Sequence, residues 1–305
     1  MAHPHERISL SPHDRHGIHR RDAAWLDERW ADPGTRVLPV AGGRVRRTGR
    51  DEGGTPAWVR PDEAPAGTRV LLGERDGTTS FAVMVDPDSV ADDDRSWASL
   101  RELLPVVDGH PDAALVLHAV GIGEWLAVTR FCPRCGAGLE VAAAGHELEC
   151  PRCGRRQFPR TDAAVIMLVR HGEPGADDEL CLLGRQAVWP EGRFSTLAGF
   201  YEPGETLEDT VRREVAEETG VLVGAVEYFG NQPWPLPASL MLGMVAEAVS
   251  TDIVRADDEL EDARWFTRAE MADQAESGEL VLPGGISISR SLIEHWYGGE
   301  LPGSW

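Results

Sequence analysis

Hydrophobic positions along this chain follow two periods, and each stretch can be assigned by which one it obeys. Short apolar runs bounded by turn formers occur at RVLPV (36–40), RVLLGE (69–74) and SFAVMVD (80–86), with Arg75-Asp76-Gly77 between the last two. Such runs predict strands joined as hairpins. Strands are predicted again at AAVIMLVR (163–170), ELCLLGR (179–185), 221–229 and 240–249. Helical spacing appears at Leu100, Leu103 and Leu104, over 111–129, and in a last helix near 287–297. Two segments have neither period. The acid-rich DPDSVADDD (86–94) is expected to be a loop, and residues 1–25, with five histidines among many charges, a flexible terminus.

One helix carries more than packing. Residues 207–219 are good helix formers, Thr206 with Asp209 resembles a capping box, and Gly220 stands where a left-handed stop is expected. Leu207, Val211 and Val215 make one apolar stripe. Glu214, Glu217 and Glu218 fall at its margin, where like charges repel and partial burial sharpens the repulsion. A hard divalent cation relieves such a cluster, since Mg²⁺ takes oxygen ligands from a few carboxylates and from substrate phosphates. Glu205 and Arg213 are a little over two turns apart, so an ion pair between them could pin the preceding loop to the helix.

Composition narrows the partners. The formal net charge of −21 argues against gripping long nucleic acid through its phosphates. Recognition of one nucleotide end in a metal-screened cleft remains open. No stretch has the apolar length of a membrane span, and the N-terminus lacks a signal-peptide core. Four of the five cysteines form two near-duplicate knuckles, Cys132-Pro-Arg-Cys135-Gly and Cys150-Pro-Arg-Cys153-Gly. Two CxxC pairs supply four thiolates for a structural Zn²⁺ with no open position, and they fit a reducing, cytoplasmic compartment. His146, between the knuckles, is an alternative ligand; Cys181, in an apolar strand, is expected to be an inert core residue. A zinc ribbon often contacts nucleic acid, and the arginines at 152, 155, 156 and 160 supply a local positive patch, so a nucleic-acid-binding module competes with an enzyme.

The segment GFYEPGETLEDTVRREVAEETGV (199–221) resembles the Nudix box of the Nudix hydrolases at every defined position. That resemblance implies an α/β/α sandwich and Mg²⁺- or Mn²⁺-assisted attack of water on a pyrophosphate. The loop NQPWPLPAS (231–239), in which three prolines and a tryptophan predict a stiff connection and no strand or helix interior, is similar to the QPWPFPxS array of the NADH pyrophosphatase branch. It departs at Asn231 and Leu236, where that branch has Ser and Phe. The four-cysteine ribbon belongs to the same branch. The resemblance covers about residues 125–300 and implies metal ligands at Glu214, Glu217, Glu218 and Glu259, with the Ala198 carbonyl. Among Asp257, Asp258, Glu259, Glu261 and Asp262, a solvated acidic turn is the competing reading.

It further implies substrate contacts at Phe200, Phe158, Gln232, Trp234, Ser239 and Ser289. Phe158 stands where the branch has Tyr, and in relatives that residue reaches a neighbouring subunit, implying a homodimer. Ser289 could equally be a packing residue. The expected fold class is α+β: an N-terminal α+β domain (1–128), a zinc ribbon (129–160) and a C-terminal Nudix sandwich (161–305). The expected reaction is hydrolysis of NAD(H) to nicotinamide mononucleotide and AMP, extended to NAD caps at RNA 5′ ends. The alternatives are a Nudix hydrolase for ADP-ribose or another dinucleotide, or a non-catalytic Nudix-fold nucleotide- or RNA-binding protein.

Overall fold

The computed structural model describes residues 3–9, 13–49, 53–91, 94–255 and 259–302. Two compact units emerge: Ile8–Thr161 with Trp234–Ala238, and Met1–Arg7 with Asp162–Pro233 and Ser239–Trp305.

In the first unit, helix α1 (Ala23–Ala31) precedes strands β1 (Arg36–Ala41), β2 (Arg44–Arg46), β3 (Thr68–Arg75), β4 (Thr78–Met84) and β5 (Trp97–Ser99). They form one sheet in the order β3-β4-β1-β2-β5. The predicted hairpin is β3–β4, turning at Asp76 and Gly77, both at positive φ as a two-residue hairpin loop requires. β1 lies parallel to β4, a pairing that a chain of simple hairpins would not give. Helices α2 (Leu100–Val107) and α3 (Ala113–Val128) follow. Ser99 and Glu102 cap α2 reciprocally, while α3 is apolar almost all round and buries Leu115, Val116, Ala119, Val120 and Ile122. Gly123 lets α3 lie against β1, since a Cβ there would come within 2.7 Å of the Gly42 carbonyl oxygen. The four-cysteine segment belongs to this unit and adds the small sheet β6 (Glu140–Ala142), β7 (Glu147–Glu149) and β8 (Arg156–Gln157).

The second unit is built on β9 (Asp162–His171), β10 (Leu180–Arg185), β11 (Leu197–Phe200), helix α4 (Leu207–Thr219), β12 (Val223–Trp234), β13 (Ser239–Ala248), β14 (Asp262–Phe266) and helices α5 (Arg268–Ser277) and α6 (Ile288–Tyr297). The sheet runs β12-β13-β9-β10-β14, with β11 also paired to β9. Alternation along β9 explains the layers. Val165, Met167 and Val169 pack with Val211 and Val215 of α4. Ile166 and Leu168 face Met271 of α5 and Ile288, Leu292 and Trp296 of α6. The expected α/β/α sandwich is therefore present. Cys181 is fully buried in it and its thiol is pushed far up by burial, as an inert core residue should be.

Two local expectations change. Asn231–Trp234 is the end of a strand, and only residues 235–238 form the turn. The reason is position: β12 is an edge strand, where Pro233 need not donate to a ladder. The terminus expected to be flexible contains a 3₁₀ turn at Pro4–Ile8. His5 is buried there, its N–H donating to Ser291 Oγ at 3.3 Å and its ring lying 5.8 Å from that of Phe229. Ring contacts and backbone-to-side-chain bonds leave no periodic trace in sequence.

Candidate active site and zinc centre

Helix α4 places the acidic cluster. Thr206 Oγ1 accepts the Asp209 N–H at 3.1 Å, and Gly220, at φ 70°, closes the far end with its N–H on Ala216. The cap is one-sided, because Asp209 is too short to complete the box. Burial of Val211 and Val215 fixes the helix rotation, and the three glutamates then sit at graded depth. The Glu218 residue is 3 % exposed, while the Glu214 and Glu217 side chains are 13 % and 56 % exposed.

Strand β11 brings the glycine of the same segment beneath that helix. An ideal Cβ on Gly199 would lie 1.9 Å from Glu214 Cδ, so the carboxyl occupies the space a side chain would need. Arg213 binds the whole assembly. Its Nε donates to Glu205 Oε1 at 2.6 Å, and its Nη2 to Glu205 Oε2 at 3.0 Å and the Phe200 carbonyl at 2.9 Å. Its Nη1 lies 2.9 Å from Glu214 and 3.0 Å from Glu217. Thr210 Oγ1 donates to Glu205 at 2.9 Å. The Glu205–Arg213 pair was legible from spacing; the bonds to Phe200 and Thr210 were not, because nothing in sequence aims a guanidinium at a carbonyl of another strand.

The electrostatics fit a cation. The Arg213 guanidinium, helped by backbone N–H and Thr210 bonds, holds Glu205 down to about 2 against burial. Glu214 moves the other way: burial raises it, and the charges of Glu217 and Glu259 raise it further against the pull of Arg213. A half-buried carboxylate crowded by other carboxylates is the donor set a hard divalent ion takes. Asp257 and Asp258 lie outside the described residues.

The other expected site residues divide. Ala198 and Phe200 flank Gly199 on β11, opposite Ile166 and Ala164, and the Phe200 ring is exposed. Ser239 opens β13 opposite Asp162. Phe158 and Trp234 belong to the other unit; Phe158 is exposed beneath Arg156, whose guanidinium carbon is 5.4 Å from the ring centre. Ser289 and Gln232 are both buried and committed to internal bonds. Ser289 Oγ accepts from Thr196 Oγ1 at 2.8 Å and Thr196 N at 3.2 Å, and lies 2.9 Å from Ser195 Oγ. The Gln232 amide accepts from Ile288 N at 3.0 Å and donates to Ile286 O at 2.6 Å. Both therefore tie α6 to its neighbours, through the segment entering β11 and through β12.

The ribbon repeats its geometry as it repeats its sequence. In each knuckle the glycine, at φ 71° for Gly136 and 68° for Gly154, donates 2.9 Å to the carbonyl of the first cysteine. The four sulfurs all lie within 4.8 Å of one another, with Cys132 to Cys153 at 3.7 Å and Cys135 to Cys150 at 3.5 Å. A tetrahedron with Zn–S bonds of about 2.3 Å has sulfur edges of about 3.8 Å, so the set fits zinc. Cys150 is brought down to about 6; burial opposes this, but the Cys153 N–H and the Cys135 thiol outweigh it. His146 is not part of the set: it is buried with Nε2 2.8 Å from the Leu71 carbonyl oxygen. Among the described residues, no helix is long and apolar enough to cross a membrane.

Comparison with known proteins agrees with this geometry. Residues 159–282 match the NUDIX domain family, and residues 128–158 the family described as the NADH pyrophosphatase zinc ribbon domain. The chain is 40 % identical over 240 residues to the NAD-capped RNA hydrolase NUDT12 of Macaca fascicularis, covering 73 % of this chain and 51 % of the relative. It thus spans about half the length of that relative. It is 39 % identical to the NAD-capped RNA hydrolase NudC of Stutzerimonas stutzeri, covering 78 % of this chain and 80 % of the relative. Identity to the NAD-capped RNA hydrolase NudC of Mycobacterium bovis is 38 %, covering 87 % and 84 %.

Proposed function

Because this chain belongs to the Nudix hydrolases that carry an NADH pyrophosphatase zinc ribbon, we propose that it hydrolyses the pyrophosphate bond of NAD(H) to nicotinamide mononucleotide and AMP. The same chemistry extends to NAD caps on RNA 5′ ends, the activity that names its relatives. The observation that carries the reading is the cluster of Glu214, Glu217 and Glu218 on α4, locked through Arg213 to the loop at Glu205 and to β11.

Glu214, Glu217, Glu218 and Glu259, with the Ala198 carbonyl, would hold two or more Mg²⁺ or Mn²⁺ ions. Bound there, they would neutralise the pyrophosphate and acidify a water. Glu217, the most exposed of the three glutamates, would accept the water's proton, and Glu259 is the other candidate. Arg213 keeps Glu214 and Glu217 oriented while its own charge is committed to Glu205. Phe200, Trp234 and the Phe158 of a neighbouring subunit would wall the bases, each stack contributing about 1–3 kcal/mol. That role for Phe158 requires a homodimer. With Ser289 and Gln232 used internally, their part is to hold α6 against β12 and the segment entering β11. Four cysteines gathered for one ion and a fifth buried as a thiol suit a reducing compartment, so we place the enzyme in the cytoplasm.

Incubation of the zinc-loaded protein with NADH and Mn²⁺ should release nicotinamide mononucleotide and AMP in equal amounts. Neither product under Mg²⁺ or Mn²⁺ would end this reading, and faster turnover of ADP-ribose than of NADH or NAD-capped RNA would transfer it to another Nudix substrate.

A further inference from the structure

Strand β11 carries three groups that the metal-dependent reading needs on consecutive residues: the Ala198 carbonyl, Gly199 beneath Glu214, and Phe200, whose own carbonyl accepts from Arg213. A corner just before the strand sets it in place. Ser195 is still paired with the end of β10, exchanging bonds of 2.9 Å each way with Gly184. From Leu197 onward the chain pairs with β9 instead, beginning opposite Met167. Thr196 is the residue between the two ladders, and its N–H donates to Ser289 Oγ of α6 at 3.2 Å.

The Ser289 hydroxyl is used up at this corner. It accepts from the Thr196 N–H and, at 2.8 Å, from Thr196 Oγ1, while Ser195 Oγ lies 2.9 Å away to receive its proton. A hydroxyl has one proton and two lone pairs, so the Ser289 oxygen keeps no place for a ligand. Thr196 and Ser289 are 5 % and 2 % exposed, which leaves water little access as a substitute partner. Ser289 is itself fixed, because its neighbours Ile288 and Leu292 on α6 are packed in the core with Ile166 of β9.

The alternation of a strand carries this placement toward α4. Tyr201 donates its N–H to the Ala163 carbonyl at 3.1 Å, so the backbone groups of residues 201, 199 and 197 face β9. Those of Ala198 and Phe200 face the other edge, and the Phe200 carbonyl there meets Arg213 of α4. The Ala198 carbonyl shares that edge, two residues from the corner. On the metal-dependent reading above, we propose that Thr196 is a positioning residue for the divalent-metal centre: its two bonds to Ser289 set the start of β11 and with it the Ala198 carbonyl on the side of α4. Thr196 does this without touching ion or substrate.

Mn²⁺ binding to the zinc-loaded protein without substrate tests it, read from the electron paramagnetic resonance of free Mn²⁺. The component that Glu214→Gln abolishes reports the centre, and Tm with zinc content checks that each variant is folded. Thr196→Val removes one bond while keeping the shape of the side chain, and should weaken that component about two- to tenfold. Ser289→Ala removes both bonds and should weaken it at least as far. The double variant should bind no more weakly than Ser289→Ala alone, because the two residues act through one contact. Thr196→Ser keeps the hydroxyl and should bind as wild type does. Wild-type affinity in Thr196→Val, whatever its Tm, would make the residue purely structural and overturn the proposal, as would losses that add in the double variant. A wild type lacking the Glu214-dependent component would instead remove the metal centre, and the hydrolase reading with it. Should Thr196→Val fail to fold, Ser289→Ala decides by the same comparison.

Discussion

Replacing Gly199 by alanine isolates the contact between strand β11 and the acidic helix. Gly199 is not among the glycines at positive φ, so alanine adopts its backbone without strain and should leave stability unchanged or raise it by about 0.4–1 kcal/mol. The added methyl, however, would sit 1.9 Å from Glu214 Cδ and 2.2 and 2.3 Å from its two oxygens. Those atoms are the end of a flexible side chain, so the carboxyl gives way and the fold does not. To restore ordinary contact it must retreat about 1.5 Å, and a displacement of even about 1 Å at a reacting centre can cost about a hundredfold in rate. A hundredfold corresponds to about 2.7 kcal/mol of transition-state stabilisation. Initial rates on NADH across a Mn²⁺ titration, with thermal unfolding of the same samples, measure both quantities. The expected result is a Tm at or above wild type with kcat reduced about a hundredfold and a higher Mn²⁺ requirement. A variant that keeps the wild-type rate at the wild-type Mn²⁺ concentration would show that the position of Glu214 over Gly199 has no bearing on the reaction.

Glu217→Gln should lower kcat by about 10²- to 10⁴-fold with an unchanged Tm, the range that loss of a general base covers; a near-native rate would remove Glu217 from the centre. Cys150→Ser should lose one zinc per chain by elemental analysis and lower Tm, since a ribbon this small has too little core to fold without its ion. Retained zinc would disprove the four-sulfur assignment. Glu205 is held at about 2 by Arg213, below its ordinary value, so its contribution is present at neutral pH and lost as pH falls from about 4.5 through 2. The Tm gap between wild type and Glu205→Gln should therefore be constant above about pH 5 and shrink below it; a gap that widens in acid would refute the pairing.

How much of this was legible depended on whether an element speaks through local pattern. Helix α4 did, because Thr206, the stripe of Val211 and Val215, and Gly220 all mark the same ends, and the observed bounds are Leu207–Thr219. The sandwich strands did, since β9 and β10 are apolar runs buried on both faces. The knuckles did, because Cys-Pro-Arg-Cys-Gly writes its own turn. The strand at Asn231–Trp234 did not: proline density reads as a loop unless one knows that the strand lies at an edge, a fact of topology. Ser289 and Gln232 were expected at the site through the resemblance, Ser289 with packing as an equal reading; the bonds that they make to Thr196, Ile286 and Ile288 were not legible, the partners being far away in the chain.

One guanidinium touching a loop, a strand carbonyl and two helix carboxylates makes Arg213 a mechanical joint. The backbone that carries the Phe200 ring cannot shift without tugging the acids proposed to hold the ions. If a base stacks on that ring as proposed, its fit would be felt at the scissile phosphates, and a poorly fitting base would be penalised in turnover as well as in affinity.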